Sequence, residues 1–154
     1  MVPTRRHAVI LGVILLLVPG ALFAQSNEEI DRLLSQEPAQ LGQAAYLVLT
    51  AAGLIEEDSS PGEALAAAQE RGIVSAEGQV DDPLRFGEFA YMLTDSFGVS
   101  GGLMYRLIPG PRYAAREVVY QGWSRSRRAP GETLSGESAV RIMSVYINQE
   151  GGVQ

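Results

Sequence analysis

Apolar residues recur along this chain at helical spacing. Leu41, Ala44, Ala45, Val48 and Leu49 form one stripe. Phe86, Phe89, Ala90, Leu93 and Phe97 form a second, and Ala139, Ile142, Met143, Tyr146 and Ile147 a third. Each stripe predicts an amphipathic helix facing a shared core, with Tyr46 and Tyr91 also counted among the core residues. Two alanine-rich segments, Glu63 to Gly72 and Arg112 to Gly122, predict further helices that stop at glycine and are followed by Ile73 and Trp123. Ser60-Pro61-Gly62-Glu63 is a capping box with proline at the first helical position. Ser26-x-x-Glu29 is another, opening a short helix through Leu34, and Asp82-Pro83 suits a third start. Ile73 to Asp82 reads as an acidic loop and Trp123 to Glu132 as an arginine-rich one. Gly101-Gly102 and Pro109-Gly110-Pro111 bracket residues 103–108, which predicts an extended linker with a little strand pairing.

The N-terminus follows a different pattern. Arg5 and Arg6 precede an uncharged apolar run from Ala8 to Val18, then Pro19-Gly20 and Ala21-Leu22-Phe23-Ala24. This predicts a signal peptide over residues 1–24 with cleavage before Gln25, and an exported protein of the periplasm or cell surface. The run is short for a membrane span, which needs about 20 residues. Leu22 is larger than usual at its position. If it blocks cleavage, the same segment becomes the anchor, and only then is a membrane a partner.

Composition narrows the chemistry. The chain has no cysteine and no lysine, and its single histidine, His7, lies in the leader. The exported part therefore has no Ser-His-Asp or Cys-His system, no lysine Schiff base and no zinc site built on His or Cys. Only carboxylate pairs or an all-oxygen metal site remain for catalysis, with Glu88 or Glu137 as the acid of a glycosidase pair. The expectation is a non-enzymatic protein without a cofactor. Glu56-Glu57-Asp58 and Asp81-Asp82 lack the alternating ligands and central glycine of a calcium loop, so no metal site is expected.

Charge is segregated. Residues 25–103 hold three arginines and fourteen acids, whereas residues 104–141 hold seven arginines and three acids. An acidic protein with a basic C-terminal half suits an anionic partner on one side, or head-to-tail self-association as a periplasmic adaptor. Nucleic acid is not expected as a partner of an exported acidic chain.

Internal repetition organises the sequence. Gly42-Gln43-Ala44-Ala45-Tyr46-Leu47-Val48 reads like Gly87-Glu88-Phe89-Ala90-Tyr91-Met92-Leu93 and, more loosely, like Gly136-Glu137-Ser138-Ala139-Val140-Arg141-Ile142, at spacings of 45 and 49 residues. Pro38, Pro83 and Pro130 stand upstream of the three blocks.

Ala64 to Val74 followed by Asp82-Pro83-Leu84-Arg85-Phe86-Gly87-Glu88-Phe89-Ala90-Tyr91-Met92-Leu93 resembles one S-layer homology repeat. Tyr113 to Trp123 followed by Leu134-Ser135-Gly136-Glu137-Ser138-Ala139 resembles a second, and residues 28–54 resemble the last helix of another copy. The resemblance implies an all-α fold of short helix–loop–helix repeats in a compact array at the bacterial cell surface. It implies three repeats around a pseudo-threefold axis, with grooves that hold peptidoglycan or anionic wall polymers. The family's motif arginine is replaced by Phe86 in one copy and Ser135 in the other, Arg85 sits one residue early, and Glu88 and Glu137 are the retained positions. The resulting division is 25–59 for the N-terminal helices, 60–100 and 112–150 for the two repeats, 101–111 for the linker, and 151–154 for a disordered tail.

The candidate site follows from residue type. Arg125, Arg127 and Arg128 follow Trp123 on a loop, and Arg112 and Arg116 lie one turn apart on the preceding helix. Guanidinium forks suit carboxylates and phosphates, and a tryptophan face suits a sugar. The alternative places Trp123 in the core as the counterpart of Ile73, with the arginines simply solvated. The expected partner is peptidoglycan, an anionic envelope polysaccharide or an envelope protein.

Overall fold

The computed structural model describes residues 28–150. The expected leader, Ser26 of the first capping box and the tail at 151–154 lie outside those residues. Helical backbone at 28–34 (α1) is followed by α2 (Leu41–Ala51), α3 (Pro61–Glu70), α4 (Phe86–Ser96), α5 (Leu103–Leu107), α6 (Pro111–Tyr120) and α7 (Gly136–Glu150). The protein is all-α. Among the described residues, extended pairing is confined to two isolated bridges, Gln40 with Pro83 and Arg85 with Thr133.

The helix stops share one device. Gly53, Gly72, Gly98 and Gly122 have φ between 63° and 77°. The next residue in each case, Leu54, Ile73, Val99 or Trp123, sends its N–H back to the carbonyl five positions earlier. Glycine takes this left-handed turn without steric cost, and the apolar residue after it packs against the helix it has just left. Starts are more varied. Ser60 Oγ accepts the Glu63 N–H at 3.3 Å, and the Glu63 carboxylate accepts the Ser60 N–H at 2.7 Å, completing the capping box. Arg85 has no side-chain acceptor, so at α4 only the return half exists, with Glu88 accepting the Arg85 N–H at 3.2 Å.

Three short segments meet at the centre. The Ala39 N–H donates to the Leu134 carbonyl at 2.9 Å, Leu134 to Leu84 at 2.9 Å, and Leu84 to Ala39 at 2.8 Å. The three bonds close a head-to-tail ring, and all three side chains are fully buried. A second tier repeats the relation: Leu41 N–H reaches Asp82, Phe86 reaches Glu132 and Gly136 reaches Gln36. Each bond contributes on the order of 1 kcal/mol net, but a buried donor left alone costs about 1–3 kcal/mol. The helices pack with α2 against α3, α4 and α7, α4 against α6, and α5 against α6.

The ring corrects the sequence register. Its members are 45 and then 50 residues apart, so Ser138, not Glu137, is the counterpart of Glu88, and Gly42 and Gly87 match Glu137. Thr133 stands where Pro38 and Pro83 precede the ring residues, and Pro130 matches Val80. Residues 71–80 and 121–130 have the same sequence of buried and exposed side chains, position by position. The expected helix start at Asp82-Pro83 shifts to Phe86 because residues 82–85 are extended into the ring. Residues 103–107 form a helical turn rather than an extended linker, because Tyr105 is drawn inward and donates to Thr94 Oγ1 at 2.8 Å. Ile147 is helical but exposed, since the last turn of α7 runs past the core.

Candidate functional site

Helix α6 presents two faces. Ala114, Ala115 and Val118 are buried against the core, which leaves Arg112, Arg116 and Tyr120 outside. The chain then turns at Gly122, and Trp123 folds inward, 3% exposed. Its Nε1–H donates to Gln149 Oε1 at 2.9 Å, and its ring stands edge-on to Tyr146 with centroids 4.8 Å apart. Trp123 is thus a core anchor matching Ile73. Its face is not offered to a ligand, which corrects the expectation of sugar stacking there.

Beyond Trp123 the loop returns to the surface. Ser124 is buried, and its hydroxyl donates to the Ser126 carbonyl at 2.9 Å, which turns the chain outward. Arg125 and Arg127 are exposed, and Arg128 is half-buried. Arg128 Nη1 pairs with Glu132 at 3.0 Å, and Nη2 donates to Ser138 Oγ at 3.4 Å. Arg116 and Tyr120 from α6 face Arg127, Arg128 and Pro130 from this loop across an open groove of about 540 Å³. Arg125, Arg128, Ser138 and Arg141 line a smaller depression next to it, so Arg128 forms the wall between the two. Arg112 lines neither. Arg112, Arg116, Arg125 and Arg127 have no carboxylate partner among the described residues. Unpaired guanidinium groups keep their forks available for an incoming oxyanion.

The loop between α3 and α4 has the opposite character. Glu77, Asp82 and Glu88 line a groove there with Arg85. Glu77 occupies the place of Arg127 in the register set by the ring. Arg85 and Glu88 are therefore brought together, while Glu137 lies apart and pairs with Arg141 on the exposed face of α7.

One groove residue, Tyr120, and one buried carboxylate on the same helix, Glu117, were not read from the sequence. Tyr120 is 85% exposed at the groove and offers the free aromatic face that Trp123 does not. Glu117 is buried, with Oε2 accepting the Gly102 N–H at 2.9 Å and Oε1 accepting from Gln121 Nε2 at 2.7 Å. Its place three residues after Ala114 and beside Val118, on the inward face of α6, was the available signal. Tyr105 is buried too, and desolvation pushes its hydroxyl above the ordinary tyrosine range, with the Thr94 bond opposing the rise.

No protein-family model matches the chain, nor does a curated protein or a solved structure. Among the described residues no helix is long and apolar enough to cross a membrane, and no cluster of three or more His, Cys, Asp or Glu could hold a metal.

Proposed function

We propose that this is an exported, non-catalytic protein of the bacterial cell envelope that binds an anionic envelope glycan, peptidoglycan or a wall polysaccharide, through diverged S-layer-homology-like repeats. The observation that carries the reading is the groove in which Arg116 and Arg127, both without a carboxylate partner among the described residues, face one another beside Arg128 and the exposed ring of Tyr120. Guanidinium groups bind carboxylates and phosphates along the polymer, and the tyrosine ring packs on a sugar face. The closed ring through Ala39, Leu84 and Leu134 supports the repeat reading, because three equivalent segments around one centre are what the resemblance implies. Loss of His, Cys and Lys from the exported part supports binding rather than catalysis. Retention on purified peptidoglycan and on wall polysaccharide tests the proposal. Salt-sensitive retention on either is expected, and no retention on both at low salt overturns it.

A further inference from the structure

A second surface lies on α5. Leu103, Leu107 and Ile108 are 71%, 66% and 56% exposed, and Met104 beside them is 45% exposed. Single exposed apolar residues are ordinary, but a contiguous group marks an interaction site. Its base is firmly held. Tyr105 is buried, bonds Thr94 and stands edge-on to Tyr91 at 6.5 Å, while Glu117 fixes the Gly102 N–H at the start of the turn. Arg106 lies on α5 itself, and Arg112 and Arg116 lie on α6, which packs against it; all three are exposed and without a carboxylate partner among the described residues. Arg116 shares a surface with Leu103 and Met104.

We infer that α5 is a wedge for an anionic bilayer surface: Leu103, Met104, Leu107 and Ile108 enter the acyl boundary, and Arg106, Arg112 and Arg116 meet lipid phosphates. An apolar apex flanked by cations is complementary to a negatively charged lipid interface. Pairing apex to apex between two copies would set the same arginines against each other. Of the other exposed large hydrophobic residues of the described chain, Tyr120 borders this same surface, and Leu34 and Ile147 lie on α1 and α7. Arg116 borders both surfaces, but the apolar apex, Arg106 and Arg112 lie outside the glycan groove, so the inference stands independently of glycan binding.

The chain has no cysteine, so Leu107→Cys provides one attachment point for a nitrobenzoxadiazole label on the full chain. Asp58→Cys, exposed on the loop between α2 and α3, provides a reference. A blue shift is expected at position 107 on vesicles of phosphatidylcholine with phosphatidylglycerol. None is expected on phosphatidylcholine alone or at position 58. Arg106→Gln and Arg112→Gln should each raise the lipid needed for half the shift about fivefold. No shift at position 107 on the anionic vesicles overturns the inference, as does an equal shift at position 58 or one independent of phosphatidylglycerol. A shift that appears with protein concentration alone assigns the patch to a second copy and also overturns it. So does a label already in an apolar setting in dilute protein, which would mean that the chain covers its own wedge.

Discussion

The Leu134 N–H donates to the Leu84 carbonyl at 2.9 Å, and both side chains are fully buried. This bond links two segments whose ring residues are 50 positions apart, and Ala39 closes the circuit. Truncating either leucine empties the point where three segments converge. Leu84→Ala and Leu134→Ala are each expected to lose about 2–5 kcal/mol in urea unfolding. A loss below about 1 kcal/mol for both would remove the ring as the organising centre.

Close approach of backbones fixes the residue type at the helix starts. A Cβ at Gly87 would stand 2.9 Å from the Pro130 carbonyl oxygen and 3.1 Å from that of Pro111. One at Gly136 would overlap the Leu33 carbonyl. Gly136→Ala is therefore expected to destabilise more than Gly72→Ala, where nothing lies within 4 Å and the positive φ alone costs about 1 kcal/mol. Thermal midpoints of the two variants give the comparison, and the reverse order would contradict the crossing geometry.

Acid should act on the first turn of α3. The bonds from Ser60, backbone first, hold the Glu63 carboxyl below the ordinary glutamate range. A depressed folded-state value stabilises fully above the unfolded-state value, and that stability is lost as pH falls through the folded one. The stability gap between the wild type and Ser60→Ala should narrow on acidification through this range. A gap independent of pH would mean that the Ser60 hydroxyl does not bond the Glu63 carboxylate in solution.

Base should act on the seat of α5. Burial raises the Tyr105 hydroxyl, so its contribution is full below the unfolded tyrosine value of about 10 and is lost as pH rises through the higher folded one. Tyr105→Phe should cost about 0.5–1.5 kcal/mol at neutral pH, as one buried hydrogen bond to Thr94 is removed. It should also flatten the alkaline loss of stability. An unchanged alkaline limb in denaturant titrations would argue against a buried hydroxyl.

The helices and their stops were legible because they depend on local chemistry. Apolar spacing placed α2, α4 and most of α7, and Gly72-Ile73 and Gly122-Trp123 announced two of the four glycine stops. The ring was not legible, because its bonds join main-chain groups of residues far apart in sequence. Similar blocks at Gly87 and Gly136 suggested a register that those bonds move by one residue. Residues 103–108 were misread because glycine and proline brackets describe the ends of a segment, while Tyr105 decides its interior. Arginine composition singled out Arg116, Arg127 and Arg128, which the fold gathers along one groove. Which aromatic ring faced outward depended on the turn at Gly122, and it placed Trp123 inside while Tyr120 stayed out.

The binding account is tested most directly by titrating a soluble wall-polysaccharide fragment into the protein and into Arg116→Gln/Arg127→Gln/Arg128→Gln, with Arg71→Gln as the control outside the groove. Calorimetry should show the triple variant losing at least tenfold in affinity while unfolding cooperatively like the wild type, with Arg71→Gln unchanged. Equal affinity of the triple variant and the wild type would contradict the assignment of this groove as the glycan site.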